Sequence, residues 1–444
     1  MKQAPDILSL DTHTIEDLGL FDSSADSGGL FEFCNRCKTD KGSEALRRRM
    51  LSPWANPARI RATQESMVFI GAHRHVFSVL PSAYLALNIE RYLSGGMPAI
   101  QSDNSLEFGM EAFHLWANYD QYYSKIIHGI ELSRRFLSAM RQLVDCPETS
   151  SVPGEVGDLL VEMRGLVQSP KLIRVYESAA PTRYWQKLRV DQILRVRERT
   201  AFQRMLVICY ELDALVAMAD VTSQSDFTMP VIDDSDTRVQ GTGLVHPMLT
   251  AAVPNPVALN QSQRLLLLTG PNMAGKTTYL RALLTALYFA HLGMGVPAAE
   301  FSFSPLRHLI SSISLSDNLS EGVSYFRAEA LRVKAIATAV HGGGRTVAIM
   351  DEPFKGTNVK DAFDASLAVL EKLAEKTDCL IVVSSHLIEL AESLESAETI
   401  KYCFFEAEEE GARLSFDYRL KTGVSQQRLG MRVLEEEGVF ELLK

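Results

Sequence analysis

Long apolar runs are what this 444-residue chain most clearly lacks. Leu265–Leu268 and Leu380–Val383 are strand-sized, far short of the roughly 20 apolar residues that cross a bilayer, so no membrane span is expected. The opening residues, Met1-Lys2-Gln3-Ala4-Pro5-Asp6, lead into polar and acidic sequence where a secretory signal would need an apolar stretch, and the expected compartment is the cytoplasm. Basic charge is also scarce. Lys and Arg number 45 against 55 Asp and Glu, a net charge of −10, which excludes a generally basic nucleic-acid coat but not a local basic surface. Of six cysteines only Cys34 and Cys37 lie close together; one such pair offers a zinc ion too few ligands, so reduced structural thiols are expected. There is no internal repeat and no low-complexity tract: Gly342-Gly343-Gly344 is a short turn and Glu408-Glu409-Glu410 a solvated hairpin.

What is present suffices for two or three globular domains, since 46% of the residues are hydrophobic and 23% charged. The first 220 or so residues are mostly helical by their 3.6-residue apolar period. Ser43–Leu51 and Val190–Ala219 are the clearest cases, the second reading as one long lever or arm. A polar stretch from Thr222 to Thr242, with Asp233-Asp234-Ser235-Asp236, marks a linker. Beyond it strands alternate with helices, which implies a parallel sheet with crossover helices. Arg264–Leu268, Thr346–Met350 and Cys379–Val383 are apolar strands that each end at a polar loop, where open α/β sheets hold their ligands.

Gly270-Pro271-Asn272-Met273-Ala274-Gly275-Lys276-Thr277 satisfies the phosphate-loop pattern and lies between such a strand and a helix beginning Thr278-Tyr279-Leu280. Its glycines let backbone N–H groups converge on a phosphate at a helix N-terminus, where aligned dipoles favour negative charge. Lys276 is placed to meet the β/γ oxygens of ATP and the Thr277 hydroxyl to ligate magnesium. A ligand-free tight turn is the bland alternative. The strand Thr346-Val347-Ala348-Ile349-Met350 ends in Asp351-Glu352, two carboxylates that point to opposite sides. Asp351 reaches the magnesium shell, while Glu352 orients or deprotonates an attacking water, which favours hydrolysis over transfer to a bound substrate.

With these residues in view the chain resembles the MutS family of mismatch-repair ATPases. Residues 270–278, ending Lys276-Thr277-Thr278, are close to that family's phosphate loop, with Asn272 as a distinguishing residue. Ser316–Phe326, running into Glu329, resembles its signature segment. Asp351–Asn358 resembles its Walker B and D-loop run, and Ser384-Ser385-His386 its switch histidine. His246-Pro247 and the stretch from Gly423 through Gly430 to Val439 also fit. In the helical half, Thr39–Arg47 with Pro53, Ile60 and Arg61 is similar to the start of the family's core domain, and Leu212-Asp213-Ala214-Leu215 to the end of its lever helix.

The resemblance implies an ATPase that works as a homodimer with composite ATP sites. Ser324 of one subunit would face the γ-phosphate held by the other, with the Asn358 loop crossing the interface and His386 sensing the γ-phosphate. By residue type alone Ser324 is an ordinary helix N-cap and His386 a strand-end histidine. The family's mismatch readers place a Phe-X-Glu domain ahead of the core. Phe31-Glu32-Phe33 aligns instead with the core's first helix, and the span from Pro53 to Leu212 is short for a clamp domain. Tight mismatch-specific binding is therefore not expected. Arg47, Arg48, Arg49, Arg59, Arg61, Arg189, Arg195, Arg197 and Arg199 are the candidates for weak contacts to DNA phosphates, with pairing to acids as the bland alternative. Ala252-Val253 stand just before Asn255, where the family often has an adenine-stacking aromatic, so relaxed base selectivity is expected.

The expected architecture is multidomain: an all-α core and lever domain over 1–221, a linker over 222–242 and an α/β P-loop NTPase domain of ABC-like type over 243–444. The expected function is an ATP- and magnesium-dependent dimeric switch in DNA metabolism without mismatch reading of its own. The alternative is the same ATP-driven clock acting on structured RNA, a ribosome or a protein complex. A transport or chromosome-organising ATPase is disfavoured because Ser316–Ser324 lacks a Leu-Ser-Gly-Gly-type signature.

Overall fold

A computed structural model describes residues 6–22, 28–96, 98–178, 180–314, 325–394, 398–410, 413–425, 427, 434 and 439–443. The chain divides into two compact units that are not consecutive in sequence: 34–51 with 62–221, and 1–33 with 52–61 and 222–444.

Every described element of the first unit is a helix or helical turn. Asp120–Asp145 buries one face along its 26 residues, from Ile126 through Phe136 to Val144. The two segments expected to begin and end a core domain meet here. Asp213, 3% exposed, accepts hydrogen bonds from the N–H groups of Lys38 (3.1 Å) and Thr39 (2.9 Å) and from the Thr39 hydroxyl (2.8 Å). Those N–H groups precede the helix Asp40–Leu51, where a carboxylate satisfies donors that have no partner within the helix. Gly42 is required at that contact, because a Cβ there would stand 2.2 Å from the Asp213 carboxylate.

The expected single lever helix is interrupted. Tyr184–Gln192 runs into a π-helical turn at Ile193–Arg197 and restarts as Arg199–Gln224. The interruption accompanies a buried ion pair: Arg195 bonds Asp191 through Nε at 2.7 Å and Nη2 at 2.5 Å, and the Tyr92 hydroxyl donates to Asp191 at 2.6 Å. This removes Arg195 from any phosphate-binding stripe. Arg49 is likewise enclosed by Glu155 and Glu211, Arg48 pairs with Glu211, Arg197 pairs with Asp103, and Arg189 lies 3.8 Å over the Phe108 ring. All six cysteines are free, and burial pushes the Cys34 thiol up to about 12.

The second unit is α/β. Its strands are β1 (Val231–Ile232), β2 (Val239–Leu244), β3 (Asn255–Leu259), β4 (Leu265–Thr269), β5 (Glu300–Phe303), β6 (His308–Ser312), β7 (Thr346–Asp351), β8 (Cys379–Ser384), β9 (Ile400–Phe404), β10 (Ala407–Glu410), β11 (Arg413–Phe416) and β12 (Lys421–Thr422). The main sheet has the order β12-β9-β4-β8-β7-β6, parallel except for β12, and β10 and β11 form an antiparallel hairpin. All five residues of β4 are buried, as expected of a strand covered on both faces. The core gathers Leu265, Leu267, Ala348, Met350, Ile381 and Val383 against Leu370, Leu373 and Leu390.

Two features depart from the sequence reading. The stretch Thr222–Thr242 is not only linker, since it contains β1 and most of β2, which form a second sheet of order β1-β5-β2-β3. With only two residues in β1 and two glycines in β2, neither has the apolar run of a typical strand. The N-terminal segment also belongs to the α/β unit: Ser9 bridges to His308, and the helix Thr12–Asp17 packs on β6. Among the described residues no helix is long and apolar enough to cross a membrane.

Replacing Asp213 with Ala leaves the Lys38 and Thr39 donors without their acceptor and should cost about 1–3 kcal/mol. Chemical denaturation measures this, and a midpoint unchanged from wild type would contradict the role.

Candidate functional site

Three loops at the carboxyl ends of adjacent strands build the site. The turn after β4 requires glycine at two points. Gly270 has φ +135° and a Cβ there would stand 2.4 Å from the Phe405 carbonyl oxygen; Gly275 has φ +103° and a Cβ there would meet the Tyr418 ring at 3.2 Å. The helix Lys276–His291 starts directly behind it. Pro271, Ala274 and Lys276 are buried, whereas Asn272, Met273, Thr277 and Thr278 are exposed around the loop. The Lys276 ammonium is held by the carbonyls of Gly270 (2.8 Å) and Pro271 (3.0 Å). Burial lowers its pKa, against the opposite pull of Glu352 and Asp351.

The end of β7 faces this loop. Thr277 Oγ1 donates to Asp351 Oδ2 at 2.5 Å, and Lys276 Nζ stands 3.6 Å from the Glu352 carboxylate. Register places Asp351 opposite Ser384 of β8. The Ser384 hydroxyl donates to Asp351 and accepts from the Glu352 N–H at 3.1 Å, so one side chain fixes both acidic residues. Glu352 has φ 48°, a left-handed conformation that non-glycine residues adopt at a cost and that occurs preferentially at functional sites.

His386, just past β8, brings Nδ1 to 3.7 Å from the Glu352 carboxylate. The interaction with His386 and the charge of Lys276 hold the Glu352 carboxyl below its ordinary pKa although burial opposes them. Glu352 in turn raises the His386 pKa, again against burial.

Asn272, Gly275, Lys276, Thr277, Asp351 and Glu352 line a cavity of 620 Å³ together with His246, Leu249, Ala252, Val253, Asn255 and Tyr418. Tyr418 escaped the sequence reading. It arrives from the turn between β11 and β12 with φ 51°, and Asn255 fixes that turn by donating to the Tyr418 carbonyl at 2.9 Å and accepting from the Leu420 N–H at 2.7 Å. The chain therefore brings an aromatic to the cavity that has none at Ala252-Val253. No signal near Tyr418 announces this, because the two segments are far apart in sequence.

The structure thus brings together Gly270–Thr278, Asp351, Glu352 and His386. Ser324 and most of the signature segment, Ser316–Ser324, lie outside the described residues. Glu329 is described: its buried carboxylate accepts the N–H groups of Lys355 and Gly356, each at 3.0 Å, tying the helix Tyr325–His341 to the loop after β7. Asn358 caps the helix Val359–Ala374 through the Asp361 N–H at 3.0 Å.

A buried strand, a glycine turn over a helix N-terminus and a strand-end Asp-Glu pair facing it are the parts that a phosphate-binding loop is built from. Residues 266–442 match the family model for MutS domain V, so this part of the chain is similar to that domain. Over 264 residues, 57% of this chain, it is 28% identical to the DNA mismatch repair protein MutS of Natronomonas pharaonis. The aligned stretch spans 30% of that relative's length.

The charge pair gives a direct check. Both partners are ionised between the ordinary carboxylate value of about 4.3 and the ordinary histidine value of about 6.5. The contribution of His386 to stability fades as pH rises through its raised pKa, and that of Glu352 fades as pH falls through its lowered one. In Glu352→Gln the His386 pKa should fall back toward the ordinary value when followed by NMR titration. An unmoved His386 would mean that the two side chains do not interact.

Proposed function

We propose that the chain binds ATP with magnesium and hydrolyses it, as a homodimeric switch of the MutS type with ATP sites shared between subunits. The observation that carries the reading is the meeting of Thr277, Asp351 and Glu352 beside Lys276.

The residues fit magnesium. A hydroxyl and a carboxylate in mutual contact are the hard oxygen donors that this ion takes, a few from protein and the remainder from phosphate and water. Among the described residues no cluster of three or more His, Cys, Asp or Glu offers an all-protein cage. Thr277 and Asp351 would hold the ion, which when bound neutralises charge on the β/γ oxygens. Lys276 and the backbone N–H groups of residues 270–278 bind the phosphates. Glu352, kept ionised by His386 and Lys276, accepts the proton of the attacking water at a carboxylate oxygen. His386 orients that carboxylate and meets the γ-phosphate. Ser324 from the second copy completes the site. Tyr418 is the aromatic available to a base in the cavity.

DNA is proposed as a weak partner only, duplex or branched, bound without preference for a mismatch. The pairing of Arg48, Arg49, Arg195 and Arg197 with acids supports weakness, because paired guanidinium groups leave less positive charge for phosphate.

Lys276→Ala should abolish nucleotide binding, while Glu352→Gln should keep it and slow hydrolysis by about 10² or more. Turnover at the wild-type rate in Glu352→Gln would remove the general-base assignment. For DNA, fluorescence anisotropy on matched and single-mismatch duplexes at several salt concentrations should give equal, salt-sensitive affinities. A mismatch preference beyond about tenfold, roughly 1.4 kcal/mol, would defeat this part of the proposal. Stimulation of ATP turnover by RNA and not by DNA would favour the RNA alternative.

A further inference from the structure

Of the five non-glycine residues with positive φ among the described residues, Glu352 (48°) and Phe354 (65°) share one turn, residues 352–356 after β7. Pro353 stands between them, and a residue before proline favours extended backbone, so Glu352 is held against its own preference. In an extended strand successive side chains alternate between faces; the turn, not the strand, therefore decides where the Glu352 carboxylate goes. It goes to 3.6 Å from Lys276 Nζ and 3.7 Å from His386 Nδ1.

What opposes relaxation of the turn is the helix Tyr325–His341. Glu329 on that helix is 2% exposed, and its carboxylate grips the far end of the turn: Oε1 accepts the Lys355 N–H and Oε2 the Gly356 N–H, each at 3.0 Å. Three residues earlier on the same helix Phe326 lays its ring beside that of Phe354, with centroids 5.8 Å apart. Burial raises the Glu329 pKa and the backbone donors of the turn oppose it. The fold thus keeps a carboxylate away from water where an apolar side chain would pack without that penalty. Its contribution is geometric, since two consecutive N–H groups are fixed by one planar acceptor. Glu329 does not line the 620 Å³ cavity, whereas Glu352 and Lys355 do, so it reaches the site through the turn.

We propose that Glu329 is a positioning residue for Glu352: its grip on Lys355 and Gly356 holds the turn in the left-handed form that aims the Glu352 carboxylate at the attacking water. This rests on the general-base reading of Glu352 above. Ser384 holds the near end of the turn through the Glu352 N–H, but it holds Asp351 as well. Glu329 is therefore the contact whose loss reaches the base and leaves Thr277, Asp351 and the phosphate loop in place. In Glu329→Gln one acceptor oxygen becomes an N–H₂ group facing a backbone donor, and the far end of the turn is released.

Glu329→Gln should bind ATP within about twofold of wild type while kcat falls about tenfold. Two further readouts separate positioning from loss of structure. The His386 pKa, which Glu352 raises, should move toward its ordinary value in Glu329→Gln when followed by NMR titration without nucleotide. In the Glu352→Gln background, where no base is left to position, adding Glu329→Gln should change kcat by less than about twofold, whereas general damage to the site would lower it about tenfold again. A wild-type kcat in Glu329→Gln, an unmoved His386, or a full further loss on top of Glu352→Gln would each overturn the proposal. Wild-type turnover in Glu352→Gln alone would instead remove the general-base reading, and the proposal with it. Should Glu329→Gln fold poorly by thermal melt, Glu329→Asp, which keeps the charge and draws the carboxylate back by one methylene, goes through the same measurements. A fall in kcat that vanishes in the Glu352→Gln background supports the proposal, and a fall that persists there, or no fall at all, overturns it.

Discussion

Everything at the candidate site depends on the register of three parallel strands. Leu268 of β4 lies opposite Ser384 of β8, and Ser384 lies opposite Asp351 of β7, so the strands end level and their loops open on one edge. A slip of one residue would turn every side chain to the other face and separate Thr277 from Asp351. The register is held by burial: β4 and β8 are buried at every position and β7 at all but its last, so a slip would have to repack both faces of the sheet. The single half-exposed position is Asp351, at the edge where the loops open.

At that edge backbone strain and electrostatics act together. Met273, Glu352 and Phe354 all have positive φ, and such residues persist only where surrounding structure determines them. Around Glu352 that structure is polar: the Ser384 hydroxyl takes its N–H, and Glu329 takes the N–H groups of Lys355 and Gly356. Lys276 and His386 then set the charge of its carboxylate. Both interactions favour its ionised form over the protonated one.

The parts of this arrangement that were legible in the sequence are local. Residues 270–278 and Asp351-Glu352 carry their chemistry in consecutive positions, and strands such as Leu265–Leu268 are uniformly apolar. What escaped reading depends on long-range pairing. Tyr418 reaches the cavity only because Asn255 holds its turn. Ser384 holds Asp351 from the neighbouring strand. The break at Ile193–Arg197 is invisible to a 3.6-residue period, since Asp191 and Arg195 have the i, i+4 spacing of an ordinary surface pair and only burial distinguishes them. Arg49 likewise looks like a basic surface residue until Glu155 and Glu211 are seen around it.

The N-terminal residues illustrate the same limit from the other direction. Asp11, Thr14 and Asp17 read as a polar, acidic beginning, and polarity near a terminus ordinarily signals solvent. Here it reflects the end of β6 in the same unit, where Ser311, Ile313 and Ser314 present donors that the sheet does not satisfy. A buried donor without a partner costs about 1–3 kcal/mol, and a short carboxylate-bearing helix laid across the strand end meets three of them with one side chain. Burying Asp17 is tolerable because those donors replace its hydration. The polar character of the segment is thus the condition for its burial, and the segment belongs to the α/β unit because β6 leaves those donors to be met.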